Sequence, residues 1–355
     1  MFLNQYNEKV KINILIEIFN IIFKKFVIIL ISLFLLKGVA IASTIGLGGW
    51  VVYWDSSGFE EVETHGDLFD RISLFSLELN EKGEAVIDGL SHRQIIKFIK
   101  LSKKKGFSPW ITIVNDLRRG KKKTILKDIG ILRKIFYNHK IRKKNIDSII
   151  KIMNKFGFKG LDLDFENIKK SEERGYQNYL IELSAALKSE NKKLKIIIEP
   201  TKGPLPYWGT MNLIVMSYNL HGNFTGPGPR STPKFIKKLK ERVEGDAKGC
   251  PSIAIALKGF YWHKNKNIIR YSWKESQKYL NSVNLKRERK SRVPYIKDKN
   301  GDELWFDDPI SLEEKIEAAI KAEYGEIMLW YLGSNDNSLY SLIRKYKKKR
   351  REYEK

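Results

Sequence analysis

Cysteine is almost missing from this sequence, and so are the usual devices for holding metals and nucleotides. A single cysteine, Cys250, among 355 residues rules out an internal disulfide framework and a thiolate metal cluster, so stability must come from the core. Cys250 itself is expected to be a buried small apolar residue. His221 has no second histidine at metal-ligand spacing, so no metal is expected. No Gly-rich phosphate loop follows the first strand-like segment, which removes the device by which open α/β sheets hold nucleotides. Nothing else in the pattern calls for a cofactor. Acidic residues are also in short supply, 41 against 66 Lys and Arg, giving a formal charge of +25. A surface of that sign attracts polyanions, among them nucleic acid, anionic membrane and anionic cell wall. The basic residues lie in short runs such as Lys103 to Lys105, Lys121 to Lys123 and Lys347 to Arg351. No helix-turn-helix, zinc finger or aromatic RNA-binding motif stands beside them, so nucleic acid is not an expected partner.

What is present is enough apolar material for a large core, 42% hydrophobic with 12% aromatic, in a chain long enough for one barrel-sized domain. The first 42 residues read as an address. Lys24 and Lys25 precede the uncharged apolar run Phe26 to Leu36, and Ala40-Ile41-Ala42 follows with the small residues of a signal-peptidase site. Eleven apolar residues fall short of the roughly 20 that span a bilayer as a helix. Export with cleavage after Ala42 is the expectation; retention as an N-terminal membrane anchor is the alternative, because Val10 to Phe23 is itself apolar. Residues 1–42 carry five Lys and two Glu, so the remainder keeps about +22. The positive charge therefore belongs to the part that folds, expected over residues 43–345, with a basic tail at 346–355.

Short apolar runs alternate with amphipathic stretches from residue 46 onward, as in strand-helix units around a parallel sheet. Eight runs stand out: Gly49 to Asp55, Ile72 to Leu79, Trp110 to Asn115, Gly160 to Glu166, Leu194 to Pro200, Leu213 to Tyr218, Ile253 to Phe260 and Glu326 to Leu332. Eight parallel strands predict a closed (β/α)8 barrel. Tyr176, Leu180, Leu183 and Leu187 have the three-and-four spacing of a helix packed on such a sheet. The gap between the seventh and eighth runs is too long for one helix. Within it Arg292 to Tyr295 and Glu303 to Phe306 flank Asn300-Gly301, a hairpin signal, so a small α+β subdomain is expected there over about 264–308.

The chemistry concentrates in Gly160-Leu161-Asp162-Leu163-Asp164-Phe165-Glu166-Asn167. Alternate residues of a strand share a face, so Asp162, Asp164 and Glu166 are predicted to point into the barrel while Leu161, Leu163 and Phe165 face the helices. Burying three acids together is costly unless protons are shared or partners supplied, which points to function. Glu166 falls at the strand's C-terminal end, where barrel enzymes place their catalysts. Acids two residues apart, about 6.6 Å along one strand, cannot easily flank a glycosidic bond from opposite faces. If a substrate carries a 2-acetamido group, its own carbonyl oxygen can attack instead, with Glu166 as the acid and Asp164 as orienting partner. Tyr53 and Trp54, at the end of the first run, and Asn115, at the end of the third, fall at the same face as candidate contacts. Glu199 is a weaker one.

The Asp-x-Asp-x-Glu strand resembles that of glycoside hydrolase family 18, the chitinase-type barrels. Met216-Ser217-Tyr218-Asn219 resembles the family's Met-x-Tyr-Asp strand, and Met328-Leu329-Trp330 its last strand. The resemblance implies that Tyr218 helps hold the acetamido group, that Trp330 floors a sugar subsite, and that Met216 and Asn219 border the substrate. The stretches Asp164 to Asn167, His221 with Gly226 to Pro229, Leu304 to Asp308 and Trp330 to Gly333 look closest to the spore cortex-lytic and related bacterial branch, associated with N-acetylglucosaminidase action on peptidoglycan. The implied function is a retaining hydrolase of N-acetylated amino-sugar polymers, with a polysaccharide substrate and an anionic wall as partner. Two departures stand out: Lys159 replaces an Asp outside the inward alternation, and Asn219 replaces an Asp, removing a charge beside Asp164. The competing readings are a catalytically silent carbohydrate-binding barrel and a metal-dependent phosphoesterase using the three acids as ligands.

Overall fold

The computed structural model describes residues 22–25, 45–120, 123–199, 212–244, 250–264 and 267–353. Apart from residues 22–25, the proposed export segment lies outside these, and no helix among the described residues is long and apolar enough to cross a membrane. Eight parallel strands form the body: Gly46–Val52 (β1), Arg71–Asn80 (β2), Ser108–Arg119 (β3), Gly160–Asp164 (β4), Lys193–Ile198 (β5), Leu213–Met216 (β6), Ser252–Ala256 (β7) and Glu326–Leu332 (β8). Each pairs with the next, and β8 returns to β1 through Gly46↔Glu326, closing a (β/α)8 barrel. All eight expected runs are strands, with ends shifted by a few residues.

Helices cover the outside because their sequences carry stop and start signals and one apolar stripe. His92–Lys105 begins at a capping box of Ser91 with Gln94 and ends where Gly106 takes a left-handed φ of 81°. It buries Ile95, Phe98 and Leu101. Glu173–Ser189 buries Tyr176, Tyr179, Leu180, Leu183 and Leu187, the predicted face.

Two features extend the expected barrel. β2 and β3 run past its rim, and each folds back on a short antiparallel strand, Ala85–Ile87 and Lys123–Ile125. Between β7 and β8 stands a five-stranded antiparallel sheet built from Gly259–Trp262, Ile268–Tyr271, Leu285–Arg287, Pro294–Lys297 and Glu303–Trp305, with the short helix Trp273–Gln277. The Pro294–Lys297 and Glu303–Trp305 strands form the anticipated hairpin. Its turn is wider than an Asn-Gly pair, since Asp298 accepts from the backbone N–H of Asn300 and Asp302 and only Gly301 takes a positive φ, 89°. Asp307 pairs with the buried Lys315 at 2.6 Å, and Asp308 caps the helix Pro309–Lys321.

The expected burial of Cys250 is not found. Cys250 is exposed, because it precedes Pro251 in the approach to β7 and not in the strand itself.

The barrel interior is layered. At its base Arg71, Asp162, Lys195, Ser252 and Glu326 form a buried polar layer: Arg71 reaches Asp162 at 2.9 Å and Glu326 at 2.7 Å, and Lys195 reaches Glu326 at 2.7 Å. The Arg71 guanidinium also lies 4.3 Å over the Trp110 ring, and a Cβ at Gly160 would stand 2.3 Å from that ring. Only glycine leaves the indole its place there. Above this layer Trp50, Ile197, Ile214, Ala254, Met216 and Met328 make an apolar cluster, with Phe75, Tyr218, Trp330 and Tyr331 packed against it.

Candidate active site

A cleft of about 630 Å³ opens at the C-terminal ends of the strands, the end at which barrels carry their catalytic groups. The acidic strand behaves as its alternation predicts. Leu161, Leu163 and Phe165 pack in the outer core with the helices. Asp162 lies at the base, Asp164 lines the cleft from the top of β4, and Glu166 follows two residues beyond the strand's end.

The three acids meet different fates. Asp162 is fully buried and bidentate on Arg71, 2.9 and 3.0 Å. Its carboxyl is nevertheless raised, since burial outweighs the guanidinium. Asp164 is also buried, and its Oδ1 has no hydrogen-bond partner. Burial first, then repulsion from Glu166, holds its carboxyl well above the usual carboxylate range. Glu166 is paired with the ammonium of Lys127, which arrives from the hairpin after β3. Burial would lower that ammonium, but Glu166, Asp164 and Glu199 together hold it above its ordinary value.

Asn115 is not at the cleft wall. It is fully buried, accepts from the Glu166 N–H at 2.9 Å and donates to the Glu166 carbonyl at 3.2 Å. With both ends of its amide engaged there it is a positioning residue for the Glu166 backbone and not the substrate contact that was expected.

Two strands on from the acids, Tyr218 lines the cleft beside Met216 and Asn219. Burial, then the charges of Asp164 and Glu166, pushes its phenol well above 10, so the hydroxyl stays protonated and can donate. Arg230 lies 5.3 Å over the Tyr218 ring and 4.5 Å over that of Phe260. Asn219 donates to Glu199 at 2.8 Å, and both line the cleft. The floor is aromatic. Trp330 meets Phe75 at 5.0 Å and Trp50 at 5.6 Å edge-on, and the half-exposed Trp54 packs on Phe75, Tyr331 and Tyr53. Tyr53 fits because Gly89, at a φ of 67°, leaves room: a Cβ there would stand 2.1 Å from its ring. His221 lies outside the cleft, turned toward the Gly226 carbonyl at 3.0 Å.

Residues 50–336 match the glycosyl hydrolases family 18. The chain belongs to that family. It is 21% identical to the uncharacterized glycosylase YvbX of Bacillus subtilis strain 168, over 91% of this chain and 99% of that one. Among solved structures it resembles the spore cortex-lytic enzyme SleL of Bacillus cereus, with a TM-score of 0.72 and 17% identity over 85% of this chain and 74% of the other. A class V chitinase from Pseudomonas fluorescens Pf-5 superimposes with a TM-score of 0.73 and 17% identity, over 84% of this chain and 98% of the other.

On this family 18 barrel the structure adds cleft residues the sequence did not single out. Lys127 and Asp116 come from the β3 extension, Glu78 from that of β2, and Lys258, Arg270, Tyr271 and Glu275 from the insert and its approach. Arg71 was hidden at the start of β2, one residue before the apolar run read as the strand. Lys127 had no signal at all, since Arg118 to Lys123 reads as a solvated basic loop.

Proposed function

We propose that this family 18 chain is a retaining hydrolase of β-linked N-acetylated amino-sugar polymers, with Glu166 as general acid and base. The observation that carries the reading is Asp164, a buried carboxyl with an unpartnered oxygen placed between the base of the barrel and Glu166. Such a group is costly to keep, and at a cleft floor its use is to share a proton and orient a substrate. In the proposed reaction a sugar lies over Trp330, with its acetamido group directed at Asp164 and Tyr218. Glu166 protonates the glycosidic oxygen as the C1–O bond breaks, while the acetamido carbonyl oxygen forms a bond to C1. The Tyr218 hydroxyl donates to that oxygen, and the neighbouring Asp164 stabilises the positive charge that develops on the ring so formed. Glu166, now a carboxylate, takes a proton from water, whose oxygen attacks C1 and reopens the ring with the original configuration. The phosphoesterase reading loses support because Arg71 and Lys127 already neutralise two of the three acids.

Glu166→Gln keeps the shape but cannot donate a proton. Turnover of a chito-oligosaccharide and of peptidoglycan strands should fall by about 10³-fold, with oligosaccharide affinity within a few-fold. Substantial residual turnover would sink the assignment. A parent protein that binds these glycans without cleaving them would instead be a carbohydrate-binding barrel.

A further inference from the structure

The pairing of Glu166 with Lys127 conflicts with the role just proposed, because a general acid must carry a proton and an adjacent ammonium favours its loss. The pair is a specific one. The Lys127 backbone N–H is fixed by Asp116 at 2.7 Å, its φ is 52°, and its side chain lines the cleft and reaches Glu166 while remaining about half exposed. The other charged groups lining the cleft are the acids Glu78, Asp116, Asp164 and Glu199, the cations Arg230, Lys258 and Arg270 with the acids Asp55 and Glu275, and the Tyr218 phenol. Lys127 thus engages the carboxylate that the proposed reaction needs for the glycosidic oxygen, and a second anion is the partner that best replaces Glu166 for its ammonium.

We propose that Lys127 is a latch on the acid, released by a carboxylate carried on the glycan. This rests on the reading of Glu166 as the acid. In the free site the one proton shared by Asp164 and Glu166 stays on Asp164, and Lys127 neutralises Glu166. When a strand bearing a carboxylate substituent enters, the ammonium transfers to that carboxylate and the proton passes from Asp164 to Glu166, which is then competent to donate. A neutral glycan supplies no such anion and must displace Lys127 unaided. Lys127 is in this way a specificity-determining residue that favours acidic amino-sugar strands over neutral ones.

The test compares the parent with Lys127→Met and Lys127→Arg on muramic-acid-containing glycan strands, on the same strands with their carboxylates amidated, and on a neutral chito-oligosaccharide. The alkaline limb of kcat/KM reports the acid of the free enzyme. Removing the cation disfavours the carboxylate, so that limb should move up by about one pH unit in Lys127→Met and return in Lys127→Arg. The parent should prefer carboxylate-bearing over amidated strands several-fold, and Lys127→Met should lose that preference. An unshifted limb, or a preference as large in Lys127→Met as in the parent, overturns the proposal. Failure of the acid assignment would show separately, as turnover surviving in Glu166→Gln.

Discussion

Asp164 stands between two carboxylates that each have a cation, Asp162 below on Arg71 and Glu166 above on Lys127. Burial with repulsion from Glu166 outweighs the charge of Lys127 and keeps the Asp164 proton in place. Asp164→Asn preserves shape and loses the exchangeable proton, so kcat should fall by about 10²-fold or more with KM nearly unchanged. Tyr218→Phe removes the donor proposed to bind the acetamido oxygen and should lower kcat by roughly 10- to 100-fold. Steady-state kinetics on a chito-oligosaccharide separates the two parameters. Losses confined to KM would mean that both are ordinary ligand contacts. At this scale the sequence was informative where side chains follow strand alternation, as with Asp162, Asp164 and the residues opposite them. It was silent on Lys127 and Arg71, whose importance comes from where the fold carries a charged end group and not from any local pattern.

The eight strands were legible because parallel strands buried on both faces read as dense apolar runs. The extensions of β2 and β3 were not, since Arg118, Arg119 and Lys123 look like solvent-facing loop although Leu117 to Arg119 pair with Lys123–Ile125. The polar layer at the barrel base was equally hidden, because its members come from β2, β4, β5, β7 and β8. This layer makes a stability prediction. Arg71→Met leaves Asp162 and Glu326 buried without their shared cation, which should cost about 3–5 kcal/mol by denaturant unfolding; a loss below about 1 kcal/mol would show that the layer is solvated. Its pH response has two signs. Glu326 is lowered from 4.5 to about 2: burial would raise it, but Arg71 and Lys195 prevail. Its contribution is therefore full above about pH 4.5 and lost as pH falls toward 2. Asp162 is raised, so by the same linkage it favours the folded state at the acid end and blunts that loss. Asp162→Asn removes the opposing group and should steepen the acid unfolding transition.

At the scale of the whole molecule the dominant fact is a formal charge of +25 on 355 residues, a property that fixes no fold but governs encounter. A wall polymer rich in carboxylates and phosphates is drawn by that field, whereas an uncharged chitin strand gains nothing from it. The proposed substrate, peptidoglycan before chitin, is thus the one for which long-range attraction and the Lys127 latch act together. The two are separable by range. Steering works over the screening length, about 10 Å at 0.1 M salt, and fades as salt rises past that point. Hydrolysis of intact wall should therefore fall steeply above about 0.1 M salt, while a small neutral chito-oligosaccharide should be cleaved at nearly constant kcat/KM. Equal salt response on both would remove the preference for an anionic wall and leave the chemistry untouched. The chemistry has its own whole-substrate test. Because the acetamido carbonyl is the proposed nucleophile, fully de-N-acetylated strands should resist cleavage, and a thiazoline mimic of the cyclised intermediate should inhibit the acetylated reaction. Efficient cleavage of deacetylated strands, together with indifference to the thiazoline, would refute substrate assistance whatever the salt dependence turned out to be.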